Sequence, residues 1–189
     1  MSVSERTATH ASWDAPCVAA ALRWRATRAV AWLFVRIAVG SDHAGLALKD
    51  LLAAHLEAAG HEVLDLGARS PEPVDYPLFG AAVGRAVASG SAELGVCCCG
   101  TGIGISIAAN KIAGVRAAVV HDATSAHLAR EHNDANVICL GARLIGPSVA
   151  AEAVDAFLGA AFVGGRHQRR IDQIAELDHA GAHIEEVPA

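Results

Sequence analysis

From Arg36 onward, the spacing of apolar and polar positions switches repeatedly between two periods. "RIAVGS" is a short apolar run ending in Gly-Ser-Asp and reads as a strand. "LALKDLLAAHLEAAG" places Leu48, Leu51, Leu52 and Leu56 at helical spacing and stops at Gly60. "HEVLDLG" alternates like a strand, and "PLFGAAVGRAVASG" reads as a helix bounded by Pro77 and Gly90. "LGVCCC" predicts a buried strand, "GISIAANKIAG" a helix ending at Gly114, and "VRAAVVH" a strand. "ATSAHLAREHN" predicts a helix and "NVICLG" a strand. "PSVAAEAVDAFLGA" opens a helix at Pro147, and "RRIDQIAELDHA" predicts a last one.

Five strands therefore alternate with helices. The strands are short and apolar without strict alternation, as expected when both faces are covered. The predicted fold is α/β: a three-layer, doubly wound, Rossmann-like five-stranded parallel sheet over residues 36–180. Residues 181–189 read as a frayed C-terminal tail.

Composition sets residues 1–35 apart. All three tryptophans (Trp13, Trp24, Trp32) lie there, with four arginines against two acidic residues. A secretory signal fails on order. Arg23, Arg25 and Arg28 stand just before the apolar "AVAWLFV", and no small-residue cleavage site follows. Few acidic residues leave a transit peptide open. The preferred reading is an N-terminal extension, either disordered or added by a mis-called start, with Val35 first if its codon is GTG.

The 189 residues are 53% hydrophobic and 19% charged, which suits a folded domain with a real core. A formal net charge of -5 argues against a nucleic-acid partner, which wants a clustered basic face. No stretch of about 18 apolar residues is free of charge, which argues against a membrane span. The five cysteines (Cys17, Cys97, Cys98, Cys99, Cys139) are odd in number and three are adjacent. That is a poor disulfide framework and fits a reducing cytoplasm.

In a doubly wound sheet, ligands bind beyond the carboxyl ends of the strands. Ser41-Asp42-His43 follows the first strand, and Cys99-Gly100-Thr101-Gly102 the third. His121-Asp122 follows the fourth and Gly141-Ala142-Arg143 the fifth. Charged, nucleophilic and glycine residues thus collect at one rim.

Strand alternation splits the cysteine triplet: Cys97 and Cys99 face one side, Cys98 the other. Three adjacent residues do not converge on a tetrahedral metal, and zinc spacing is absent. A redox pair needs a C-x-x-C or a partner such as Cys139. Cys97 and Cys98 read as small core hydrophobes. Cys99 differs, because it ends the strand against glycine, where a helix start favours an anionic sulfur. Gly100, Gly102 and Gly104 free backbone N–H groups for a phosphate or oxyanion. A dinucleotide fingerprint fails because Ile105 stands where its third glycine belongs, and the P-loop pattern is absent. Asp122, about 20 residues on, keeps a dinucleotide module open.

Five motifs then occur in order: "GSDHAG" (Gly40–Gly45), "DYP" (Asp75–Pro77), "CGTGIGISIAANK" (Cys99–Lys111), "REHNDANVICLGAR" (Arg130–Arg143) and "GGRHQRR" (Gly164–Arg170). Together they closely resemble ribose-5-phosphate isomerase type B, in the family that includes galactose-6-phosphate and allose-6-phosphate isomerases. The match runs from Arg36 to His179. The resemblance implies interconversion of ribose 5-phosphate and ribulose 5-phosphate through an enediolate, a step of the pentose phosphate pathway. It also implies a sugar-phosphate substrate, no cofactor, no metal, and a homodimer whose active sites draw on both subunits.

Roles are carried over motif by motif. Cys99 resembles the base that takes the proton from C2 and returns it to C1. Thr101 and the N–H groups of Gly100, Gly102 and Gly104 correspond to the groups that stabilise the enediolate oxygen. Ile105 occupies the place of a glutamate base found in some members, so the chain resembles the cysteine subtype. His132 matches the residue that helps open the sugar ring, with Asn133 beside it and Asp42 assisting at the ring oxygens. His43, Arg143, Arg166 and Arg170 match phosphate and substrate contacts, and Tyr76 a pocket wall.

Without the motifs, blander readings hold. His132 suits a helix C-terminus, Arg166 and Arg170 share a solvated helical face, and Asp42 is an N-cap. His121, His127, His167 and Lys111 read as structural or as supports behind the residues that touch substrate, and His10, His55, His61, His179 and His183 as surface residues. Three alternatives stay open: an isomerase of a six-carbon sugar phosphate, a phosphate- or nucleotide-binding module without chemistry, and a cysteine redox protein.

Overall fold

Apolar side chains on both faces of every strand require helices on both sides of the sheet, and the computed structural model, which describes residues 34–179, has that arrangement. Its strands are β1 (Arg36–Ser41), β2 (Glu62–Asp65), β3 (Leu94–Cys99), β4 (Ala117–Val119) and β5 (Val137–Gly141). All pairs are parallel, in the order β2-β1-β3-β5-β4. The helices are α1 (Leu46–Ala58), α2 (Tyr76–Ala88), α3 (Ile103–Ala109), α4 (Ala123–Asn133), α5 (Pro147–Leu158) and α6 (Gln168–Glu176), with a 3-10 turn at Gly165–His167. The expectations for residues 1–33 and 180–189 fall outside the described residues.

The core is two clusters divided by the sheet. On one face Leu48, Leu52 and Leu56 of α1, Ala126 and Ala129 of α4, and Val154 and Phe157 of α5 cover Ile37, Val39, Val96, Cys98, Ile138 and Leu140. On the other, Val83 and Ala86 of α2 and Ile105 and Ala109 of α3 cover Ala38, Cys97, Cys99, Val137 and Cys139. These are the three layers that the pattern predicts. The cysteines alternate as expected, with Cys98 on one face and Cys97 and Cys99 on the other. Burial pushes the Cys98 thiol well up, as it does that of Cys139, where a hydrogen bond with Cys97 adds to the effect. Both stay protonated and act as core filler.

Several expectations need correction. α3 stops at Ala109, short of Gly114, because the Asn110 side chain turns to the outer edge of β4. Its Nδ2 donates to the Ala117 carbonyl and its Oδ1 accepts from the Ala117 N–H, both at 2.8 Å. β4 itself has three residues, fewer than "VRAAVVH" suggests. His61, expected at the surface, is buried. His55 bonds Asp155 across α1 and α5, Nε2 to Oδ1 2.7 Å. Among the described residues, no helix is long and apolar enough to cross a membrane.

Candidate active site

The strand-end rim is built from four loops. β1 ends at Ser41, register partner of Cys98. The Asp42 that follows is buried, and its N–H donates to the Cys98 carbonyl at 3.3 Å. Its Oδ1 accepts the Gly45 N–H at 2.9 Å and braces the turn before α1, but the N-cap of α1 is Gly45, so Asp42 is not the cap that the blander reading expects. Next to it the exposed His43 accepts the Val74 N–H on Nδ1 at 3.2 Å, which leaves Nε2 for a ligand.

β3 delivers Cys99 as its last residue. Cys99 is only 5% exposed, and its Sγ accepts the Gly102 N–H at 3.0 Å. An anionic sulfur accepts such a bond more strongly than a neutral thiol. Gly102 makes it from a left-handed backbone, φ 78°, at the N-cap of α3. The exposed Thr101 turns its Oγ1 back to accept the Ile103 N–H at 3.3 Å. Those two amides are thereby engaged, and the N–H groups of Gly100, Thr101 and Gly104 are the loop's candidate anion donors.

Two side chains close the cradle. The Tyr76 ring lies on Gly104, where an added Cβ would stand 2.7 Å from Cζ. The Arg143 guanidinium lies over Gly100, with Cζ and Nε 3.4 Å from the equivalent position. Arg143 is held there by its own N–H, which donates to the Gly100 carbonyl at 3.0 Å. Asp42, His43, Tyr76, Cys99, Thr101, Arg143 and the three glycines therefore share one rim.

His132, Asn133, Arg166 and Arg170 do not join them. α4 runs back from the strand ends and finishes at Asn133, just before β5 begins. Val137 at that start pairs with Gly95, whereas Gly141 at the other end pairs with Cys99. At about 3.3 Å per residue, the two ends of β5 stand roughly 13 Å apart. At the strand-start edge the His132 ring stacks on His167, centroids 4.4 Å apart. Arg166 lies in the 3-10 turn and Arg170 in α6, so the two do not share one α-helix as their spacing suggests.

Against known proteins, the family model described as Ribose/Galactose Isomerase matches residues 37–174. Ribose-5-phosphate isomerase B of Escherichia coli (strain K12) is 49% identical over 143 residues, which cover 76% of this chain and 96% of that protein. The solved ribose-5-phosphate isomerase B of Clostridium thermocellum superposes with a TM-score of 0.75 at 49% identity, covering 76% of this chain and 97% of that one. That of Mycoplasma genitalium, solved with bound ribulose-5-phosphate, gives 0.73 at 45%, covering 76% and 95%. The chain belongs to the ribose/galactose isomerase family.

One residue of this family member has a place that the sequence pattern does not announce. Lys49 sits in the α1 run of leucines and is buried, with Nζ 2.7 Å from Asp65 Oδ2 and 2.9 Å from Asp50 Oδ1. Asp65 also accepts the Gly67 N–H at 2.8 Å, and the Gly67 carbonyl accepts the N–H of Ser41. The ion pair thus fastens the segment beside Ser41, one residue before Asp42. Its one sequence signal is a lysine on the apolar face of a helix. His167, expected to be structural or a support, stacks on the ring of His132. Ile105 is fully buried and apolar, so it offers no base at its position.

Proposed function

We propose that this isomerase interconverts ribose 5-phosphate and ribulose 5-phosphate through an enediolate, with Cys99 as the base. The observation that carries the reading is the Gly102 N–H aimed at Cys99 Sγ at 3.0 Å, inside a cradle of loop amides. The thiolate takes the proton from C2 of the open aldose, and the electron pair forms the C1–C2 double bond. The C1 oxygen becomes the enediolate oxygen, facing the loop amides and the Thr101 hydroxyl. The hydroxyl proton on O2 passes to O1, and Cys99 returns its proton to C1. His43 and Arg143 receive the phosphate, Arg through a fork that bonds two oxygens at once.

Ring opening is assigned to His132, with Asn133 beside it and Asp42 at the ring oxygens. Because His132, Asn133, Arg166 and Arg170 lie at the opposite edge of the sheet from Cys99, a second copy supplies them. The working unit is therefore a homodimer with shared sites. The exposed Ile103 and Ile107 on α3, 52% and 57% accessible, give such a contact an apolar surface beside the cradle. Among the described residues, Cys97, Cys98, Cys99 and Cys139 are free thiols, which supports a reducing compartment such as the cytoplasm.

Cys99→Ala tests the base. Turnover should fall about 10³-fold while ribulose 5-phosphate still binds. Near wild-type turnover would remove Cys99 from the mechanism. A kcat/KM for allose 6-phosphate far above that for ribose 5-phosphate would move the assignment to six-carbon sugars.

A further inference from the structure

His132 has a partner that the mechanism above leaves unused. Its ring lies flat on that of His167, with centroids 4.4 Å apart and planes within 8°. His167 is buried, and His132 is partly exposed. Arg166 donates Nε–H to Nε2 of His167 at 3.3 Å. A nitrogen that accepts from arginine carries no proton, so the ring's proton sits on Nδ1. Burial first, and then the charges of His132, Arg166 and Arg170, push His167 below the ordinary histidine value, while Glu131 acts weakly the other way. His167 is a neutral plate held between a cation and a second imidazole.

The plate and the ring are kept in register. The Val163 N–H donates to the Glu131 carbonyl at 3.1 Å, tying the segment before the 3-10 turn to the residue preceding His132. Glu131 is in turn paired with His127, Oε2 to Nε2 2.8 Å. A single bond near Cβ leaves an imidazole free to rotate about its two side-chain torsions, and a flat neighbour removes most of that freedom.

We propose that His167 is a positioning residue for His132: its face fixes the plane of the His132 imidazole, so that a ring nitrogen points at the sugar's ring oxygen when the ring opens. Proton transfer depends on such alignment, and small misplacement is costly. This rests on the ring-opening role given to His132.

A double-mutant cycle on the full-length protein with ribose 5-phosphate tests it. His167→Ala should lower kcat about tenfold with little change in KM. His167→Phe, which keeps a flat ring and loses the Arg166 bond, should recover most of that loss. In a His132→Ala background, His167→Ala should lower kcat no further. If His132→Ala lowers kcat and the His167→Ala loss multiplies with it, the two rings act independently and the positioning role is wrong. If His132→Ala leaves kcat unchanged, the ring-opening role fails, and positioning fails with it. Should His167→Ala not fold, as judged by its thermal transition, His167→Phe and His167→Leu carry the comparison. Equal kcat in those two would overturn the proposal.

Discussion

Gly102 gives its backbone N–H to the Sγ of Cys99, 3.0 Å away, from a left-handed backbone that other residues adopt at a cost. A Cβ at this position would also stand 3.1 Å from the Cys139 carbonyl oxygen. Gly102→Ala should therefore cost about 1–2 kcal/mol of stability from the backbone alone. It should also turn the amide away from sulfur and lower kcat. Urea denaturation and the rate of iodoacetamide alkylation at Cys99 measure the two effects. Unchanged alkylation would show that this amide does not tune the sulfur.

Gly104 and Tyr76 form a second pair of this kind. Gly104→Ala drives a methyl into the Tyr76 ring, which is 41% exposed and has room to swing outward. The stability loss should stay below about 1 kcal/mol, as for a surface adjustment. The KM for ribose 5-phosphate should rise severalfold, and Tyr76→Ala should raise it similarly. In the double variant the two increases should not multiply, because both remove the same wall.

Lys49 and Asp65 make acid stability depend on a buried charge. Burial opposes both charges, but hydrogen bonds outweigh it. Those from Asp65 and Asp50 hold Lys49 above the ordinary lysine value, and those from Lys49 and the Gly67 N–H hold Asp65 below the carboxylate range. Asp65 therefore contributes stability that is present above the unfolded carboxylate value and is lost as pH falls through its depressed folded value. Lys49 contributes stability that is present below the unfolded lysine value and is lost as pH rises through its raised folded value. Lys49→Ala should cost about 3 kcal/mol at neutral pH. Denaturant midpoints from neutral pH down to about pH 3 should fall less steeply for Lys49→Ala than for the wild type.

The proposed sharing of sites between two subunits predicts complementation. Cys99→Ala and His132→Ala should each be nearly inactive alone. After mixing and subunit exchange, activity should rise to about a quarter of wild type, since half the dimers are mixed and each mixed dimer holds one intact site. No recovery after proven exchange would mean that one chain supplies both residues.

Most of the fold is legible in the sequence. β3 is read residue for residue, because an apolar run ends at a glycine. α4 is as clear, and its start is marked by Asp122, whose carboxylate accepts the Ser125 N–H at 2.7 Å in a capping box. The cysteine alternation follows from the pleat alone. What escaped depends on distant partners. α3 ends early because Asn110 reaches the edge of β4, and nothing in "GISIAANKIAG" announces that bond. Lys49 breaks an apolar helical face, and only the fold brings Asp65 to it. His61 looks polar in sequence and is buried. The motifs list His132 beside Cys99, but a motif carries no direction along a strand. Their placement at opposite edges appears once α4 is seen to run back.

The Asn110 amide has a consequence beyond shortening a helix. Ala117 directs its N–H and C=O outward from β4, the last strand of the sheet on that side. A carboxamide is chemically a peptide group, so Asn110 lies against this border as a strand one residue long. A strand from another molecule finds the site already taken. Strand-by-strand growth is capped at this border from within the chain.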